Sequence, residues 1–198
     1  MRMKQMVYMA TVDGLVVFLD TNIIYPLIIR DILFWLAYHD VFVPKWSVHV
    51  FDEWRRVMSR KGIGKDIVDK RIDAANLAFP GALVKDYEDL IPMLDLPDVD
   101  DRHVLAAAIR SGAKIIVTNN VRDFPADRLK AYNLIAMNTD DFLMFLLSKE
   151  EDTSLVAFHD LVDNKRNPKN SKFDVIRQFE VVGLIHFASA MRERINRN

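Results

Sequence analysis

Two short apolar runs constrain this chain more than anything else in it. Leu15 to Leu19 reads LVVFL, and Lys114 to Thr118 reads KIIVT. Both are rich in β-branched residues, bounded by polar or turn residues, and too short for helices. Runs of that kind fit strands buried on both faces, as in a parallel sheet. Val41 to Pro44, Ala82 to Val84 and Leu134 to Met137 are further strand candidates. Helical patterns lie between them: Ile23 to Tyr38 with Pro26 in its first turn, Ser47 to Ser59 with Ser47 as N-cap, Gly64 to Phe79, Asp101 to Ser111 closed by Gly112, and Asp141 to Leu147 capped by Thr139 or Asp140. Strands that alternate with helices predict an α/β fold around a mostly parallel sheet.

After Leu147 the composition changes. SKEEDTS is acidic, residues 155–162 suit a short helix, and Asn164 to Lys172 has neither an apolar residue nor an acid. Phe173 to Ile195 returns to helical apolar spacing, with Gly183 placed to divide it in two. The 198 residues are enough for one good-sized domain and a small appendage, and 51% hydrophobic content supplies a core. Net charge is −1, so bulk charge does not advertise a nucleic-acid ligand; any such affinity has to be local. With no cysteine, disulfides and thiolate zinc sites are excluded, which is consistent with a cytoplasmic location. No apolar run approaches the ~20 residues of a membrane span. The first residues lack the apolar stretch of a signal peptide, and Met9 is an alternative start.

Most of the 28 acids belong to solvated surface. The informative ones fall where the pattern calls for burial, because a buried carboxylate needs a partner. Asp20 ends the first buried strand, where ligands bind in open α/β sheets; capping the following helix is an equal reading. Glu53 shares a helix face with Val50, Trp54 and Val57, although a salt bridge to Arg56 or Arg60 would also explain it. Asp101 continues the stripe of Val104, Leu105 and Ala108, or else complements the helix dipole beside Asp98 and Asp100. Asn119, Asn120 and Asp123 follow the second buried strand, as a polar turn or as part of a site. Oxygen-bearing side chains with no Cys and little His suit a hard cation, Mg²⁺ or Mn²⁺. Like charges packed together without one would repel. The five histidines show no ligand spacing and read as structural or surface residues. Trp35, Trp46 and Trp54 read as core.

The ordered set Val16–Asn22 (VVFLDTN), Ser47–Glu53, Asp98–Ala108 and Ile115–Phe124 resembles the PIN domain, over roughly residues 14–147. The resemblance implies a three-layer α/β/α PIN-like nuclease domain over 1–147 and a helical C-terminal extension over 148–198. It further implies an Mg²⁺- or Mn²⁺-dependent ribonuclease of the VapC toxin type, with an antitoxin partner and a homodimer. Carried over by position, Asp20, Glu53 and Asp101 are the central acids. Asp20 and Asp101 ligate the ion, and Glu53 ligates it or orients the attacking water. Thr118 resembles the family's threonine after the last buried strand, and Asn22, Thr118 and Asn120 hold ligands and water in place. Many members have Asp where this chain has Asn120; Asp123 either completes the site or receives a second ion. Arg56, Arg102 and Arg122 are candidates for RNA phosphates.

Rival readings each leave a mark. A structure-specific flap-type DNA nuclease wants more acids and a longer helical arch. An aspartyl phosphatase wants Asp in place of Asn22. A PIN fold that only binds is kept open by Asn120. A dinucleotide-binding protein wants a Gly-rich loop after the first strand, and none follows.

Overall fold

A computed structural model describes residues 14–165 and 169–197. The expectations about Met9 and a leader segment fall outside the described residues. Five strands form the sheet: β1 (Val16–Leu19), β2 (Val43–Ser47), β3 (Leu83–Val84), β4 (Ile115–Val117) and β5 (Ile135–Met137). Their order is β3-β2-β1-β4-β5, and all pairings are parallel. Val17, Phe18, Leu19, Ile115, Ile116 and Val117 have no exposed surface, as expected of central strands covered on both faces.

The helices are α1 (Thr21–Ile24), α2 (Leu27–Tyr38), α3 (Val48–Arg60), α4 (Lys65–Ala78), α5 (Arg102–Arg110), α6 (Ala126–Lys130), α7 (Thr139–Lys149), α8 (Glu151–Asn164), α9 (Lys172–Val181) and α10 (Ile185–Arg197). Short 3₁₀ turns cover Glu88–Met93 and Val121–Asp123. The architecture is a three-layer α/β/α sandwich with a helical C-terminal region. After β1 the chain moves to β2 on one side, and after β4 it moves to β5 on the other. The neighbouring carboxyl ends of β1 and β4 therefore bound the crevice where an open α/β sheet binds its ligands.

Several boundaries differ from expectation for physical reasons. The predicted helix from Ile23 is divided at Pro26, which has no N–H to continue the ladder and caps α2 instead. Strand β2 runs on past Pro44 to Ser47, because Trp46 N donates to Ala82 O at 3.0 Å. Asn138, rather than Thr139 or Asp140, caps α7 by accepting from Asp141 N. Asp140 caps the last helix instead: its oxygens accept from the backbone N–H groups of His186 and Phe187 at 2.9 and 2.8 Å. Helix α8 is longer than the predicted residues 155–162, and Gly183, at φ +88°, separates α9 from α10. Ser47 caps α3 as expected.

The nearly all-apolar α2 is a core helix. Ile28, Ile29, Ile32, Leu33 and Leu36 are buried, and α8 and α9 pack on it from the C-terminal side. Polar ties flank that contact: His39 Nε2 lies 2.7 Å from Asp160, and Lys165 Nζ lies 3.1 Å from Asp31. Among the described residues no helix is long and apolar enough to cross a membrane. Phe158 of α8 is fully buried and packs against Phe179 of α9. Phe158→Ala is expected to lower unfolding stability by roughly 3–5 kcal/mol, the cost of a large cavity; a urea titration measures it.

Candidate active site

Asp20 is the first residue beyond β1. Its backbone N–H donates to Val117 O at 3.1 Å, which ties it to the end of β4. Its carboxylate does two jobs. Oδ1 accepts from Thr21 N at 2.6 Å and caps α1, while Oδ2 accepts from Thr118 Oγ at 2.7 Å and Asn22 Nδ2 at 2.6 Å. The cap and site readings are therefore compatible. Thr118 Oγ also accepts from Asn22 Nδ2 and Asn120 N, and Asn22 Oδ1 accepts from Asn119 N. The loops after β1 and β4 are thus joined through one buried hydroxyl. Asp20 is only 4% exposed, and among the described residues no cation lies within ion-pair distance of it. Burial pushes its carboxyl above the ordinary range, against the hydrogen bonds from Thr118 and Thr21.

Glu53 reaches the same crevice from α3. Its oxygens meet the Thr21 hydroxyl, His103 Nε2 at 3.1 Å and the Arg56 guanidinium at 3.9 Å. Burial pushes this carboxyl up, but hydrogen bonds from His103 and Thr21 prevail and hold it below the ordinary range. His103 is buried, and its ring lies 5.1 Å from that of His49, whose Nδ1 meets Tyr87 Oη. Sequence spacing gave no role to His103. A sign was present nonetheless: it sits in HVLAAAI, an apolar run buried all round, where a polar ring needs a partner.

Asp101 is the N-cap residue of α5. Carboxylate oxygens of Asp98, Asp101 and Asp123 lie within 4.8 Å of one another. Asp101 Oδ2 is buried and has no hydrogen-bond partner. Burial, and then the charges of Asp20, Asp98 and Asp123, push its carboxyl up to about 7. Asp98 joins the cluster although its position suggested only helix capping; one of its oxygens accepts from Asp100 N at 2.9 Å. Asn120 donates its amide to Asp123, so the asparagine positions an acid three residues further on. The donor set is hard oxygen with net negative charge and one unpartnered buried lone-pair site, which fits a divalent cation such as Mg²⁺ or Mn²⁺.

Asp20, Glu53 and Asp101 line one open cleft of about 580 Å³, with Arg56 and Arg60 also on its wall. Arg102 instead points toward Asp95, at 3.9 Å, and Arg122 lines a different cavity beside Phe124 and Ile135. The structure brings together the acids that the sequence singled out and adds Asp98, Thr21 and His103.

A parallel sheet with this order, carrying acids at the carboxyl ends of β1 and β4 and on two flanking helices, defines a class. Residues 16–122, more than half of the chain, match the PIN domain family, and the protein belongs to it. Residues 139–193 match the VapC50 C-terminal domain. A curated relative from Mycobacterium tuberculosis (strain ATCC 25618 / H37Rv), named "Putative ribonuclease VapC50", is 42% identical over 82 residues. That match covers 41% of this chain and 48% of the relative, so it spans about half of that protein's length. No solved structure matches the chain.

The raised carboxyls carry a signed consequence. Between the ordinary carboxylate range and about 7, the folded chain holds a proton on Asp101 that the unfolded chain has released. Stability falls as pH rises through that window and levels off above it. Asp20 acts in the same direction, and Glu53 acts in the opposite one at lower pH. In EDTA, the melting temperature is expected to drop between about pH 5 and pH 8, and Asp101→Asn is expected to flatten that slope. Scanning calorimetry across the range checks both.

Proposed function

We propose that the protein is a ribonuclease that hydrolyses phosphodiester bonds of single-stranded or structured RNA with a bound Mg²⁺ or Mn²⁺. The observation that carries this reading is Asp101. Its Oδ2 is buried without a partner among the carboxylates of Asp20, Asp98 and Asp123, and a divalent cation would relieve that arrangement.

Asp20 and Asp101 would hold the ion, and Asp123, with Asp98 beside it, would complete the site. When bound, the ion polarises the phosphate and stabilises the developing charge of an in-line displacement. Thr118 and Asn22 fix Asp20 Oδ2, so the carboxylate keeps its aim without rearrangement. Glu53, kept ionised by His103 and Thr21, accepts a proton of the attacking water at its carboxylate oxygen. The water oxygen bonds to phosphorus, the bond to the leaving ribose oxygen breaks, and that oxygen takes up a proton from solvent in the open cleft. No serine or cysteine nucleophile is needed. Arg56, on the cleft wall, is placed to meet a neighbouring phosphate.

The same reading extends to partners. The match of residues 139–193 and the VapC-type resemblance of the PIN domain support a toxin role, with an antitoxin protein and a second copy of this chain as partners and the cytoplasm as the place of action. Incubating purified protein with single-stranded RNA, with and without EDTA, tests the chemistry. Cleavage is expected only with metal. Asp20→Asn and Asp101→Asn should each lower the rate by roughly 100-fold or more, since several kcal/mol of charge stabilisation are lost. Wild-type cleavage by Asp20→Asn, or cleavage unaffected by EDTA, would overturn the proposal.

A further inference from the structure

The acidic cleft does not stand alone. A larger groove of about 1040 Å³ begins at Tyr25, a residue that also lines the cleft, and runs between the end of α3 and the face of α9. Its walls join the PIN fold to the C-terminal helices. Lys61 and Arg71 come from one side, and Lys165 and Arg177 from the other. Arg30 lies deeper, over the Trp54 ring and 3.5 Å from Asp31. Against these five cations the groove carries one carboxylate, Asp174, and that group is engaged by Ser171. Lys165 is paired with Asp31. Lys61, Arg71 and Arg177 have no carboxylate oxygen within 4.0 Å among the described residues. In a chain of net charge −1, so local an excess of positive charge needs an explanation.

We infer that this groove is the track for a single-stranded RNA segment leaving the acidic cleft, so that the C-terminal helices form part of the substrate site. The inference rests on the nuclease reading and gives it a direction. Carboxylates repel a polyanion, so its flanking phosphates have to be held by cations beside the cleft, on a surface continuous with it. Single strands bind where a cationic groove follows the backbone and apolar or aromatic surface receives bases. Both features are here: the cations line the groove, and exposed Leu27 and Val181 supply the apolar surface, beside the half-buried Tyr25 whose ring Lys61 Nζ covers at 4.2 Å where the groove meets the cleft.

The probe is a short fluorescein-labelled RNA of mixed sequence, titrated by anisotropy with the full chain in EDTA, which suppresses cleavage. Arg71 and Arg177 are exposed, so charge reversal there leaves the core intact. The double variant Arg71→Glu/Arg177→Glu is expected to bind at least about tenfold more weakly at low salt. Its log–log salt slope should fall by about 1.4, at roughly 0.7 per lost phosphate contact. The control Lys130→Glu/Lys149→Glu, at exposed positions outside the groove, should stay near wild type. Equal affinity and slope in the groove variant would overturn the inference. So would tight binding of polyglutamate by a wild type that does not bind RNA, which would make the groove a seat for an acidic protein. RNA binding that depends on the groove in a protein that never cleaves with metal would leave the track standing and remove the nuclease. Cleavage with binding that ignores the groove would do the reverse.

Discussion

Carboxylates of Asp20, Glu53, Asp98, Asp101 and Asp123 come from four segments of the chain, and the fold holds them at one edge of the sheet against their mutual repulsion. Everything around them answers that constraint. Thr118 and Asn22 fasten Asp20 across the gap between β1 and β4. His103 and Thr21 stabilise the ionised form of Glu53, and the Asn120 amide meets Asp123. Of these acids only Asp101 has a buried oxygen with no donor, and burial together with its acidic neighbours pushes its carboxyl up to about 7. Such an arrangement is what the proposed divalent cation would complete.

Burial of the central strands adds to these polar contacts in holding the cluster. Central strands with no exposed side chain place Asp20 and Thr118 beside each other to within a hydrogen bond. Helix α2, which follows the site, is packed by α8 and α9, and α9 also forms a wall of the groove. Asp140 fastens the last helix to the start of α7. The Asp140 cap, the His39–Asp160 and Lys165–Asp31 contacts and the packing of α8 and α9 on α2 tie the C-terminal helices to the PIN fold.

Much of this was legible in the sequence because period and burial leave direct marks. LVVFL and KIIVT announced the two central strands, and the polar residues that end them announced the crevice. Glu53 and Asp101 were found because each interrupts an apolar stripe. Asp98 escaped because an acid before a helix has an ordinary explanation in the helix dipole. His103 escaped because its partner, Glu53, lies fifty residues away and no local spacing encodes that contact. Arg102 and Arg122 looked like phosphate ligands from their neighbours in sequence, but side-chain direction turns them toward Asp95 and a separate cavity. The basic segment from Lys165 and the cations after Glu53 stood out in the sequence, but their meeting in one groove did not, since its two walls are joined by the packing of α8 and α9 on the PIN fold.

On the proposed reading, the cluster exchanges a proton for a divalent cation when it binds one. Calorimetric titration of Mn²⁺ into the chain near neutral pH, in two buffers of different ionisation heat, measures that exchange directly. Binding is expected to be accompanied by proton release, and Asp101→Asn is expected to release fewer protons than the wild type. Binding with no proton released, or no saturable binding, would contradict it.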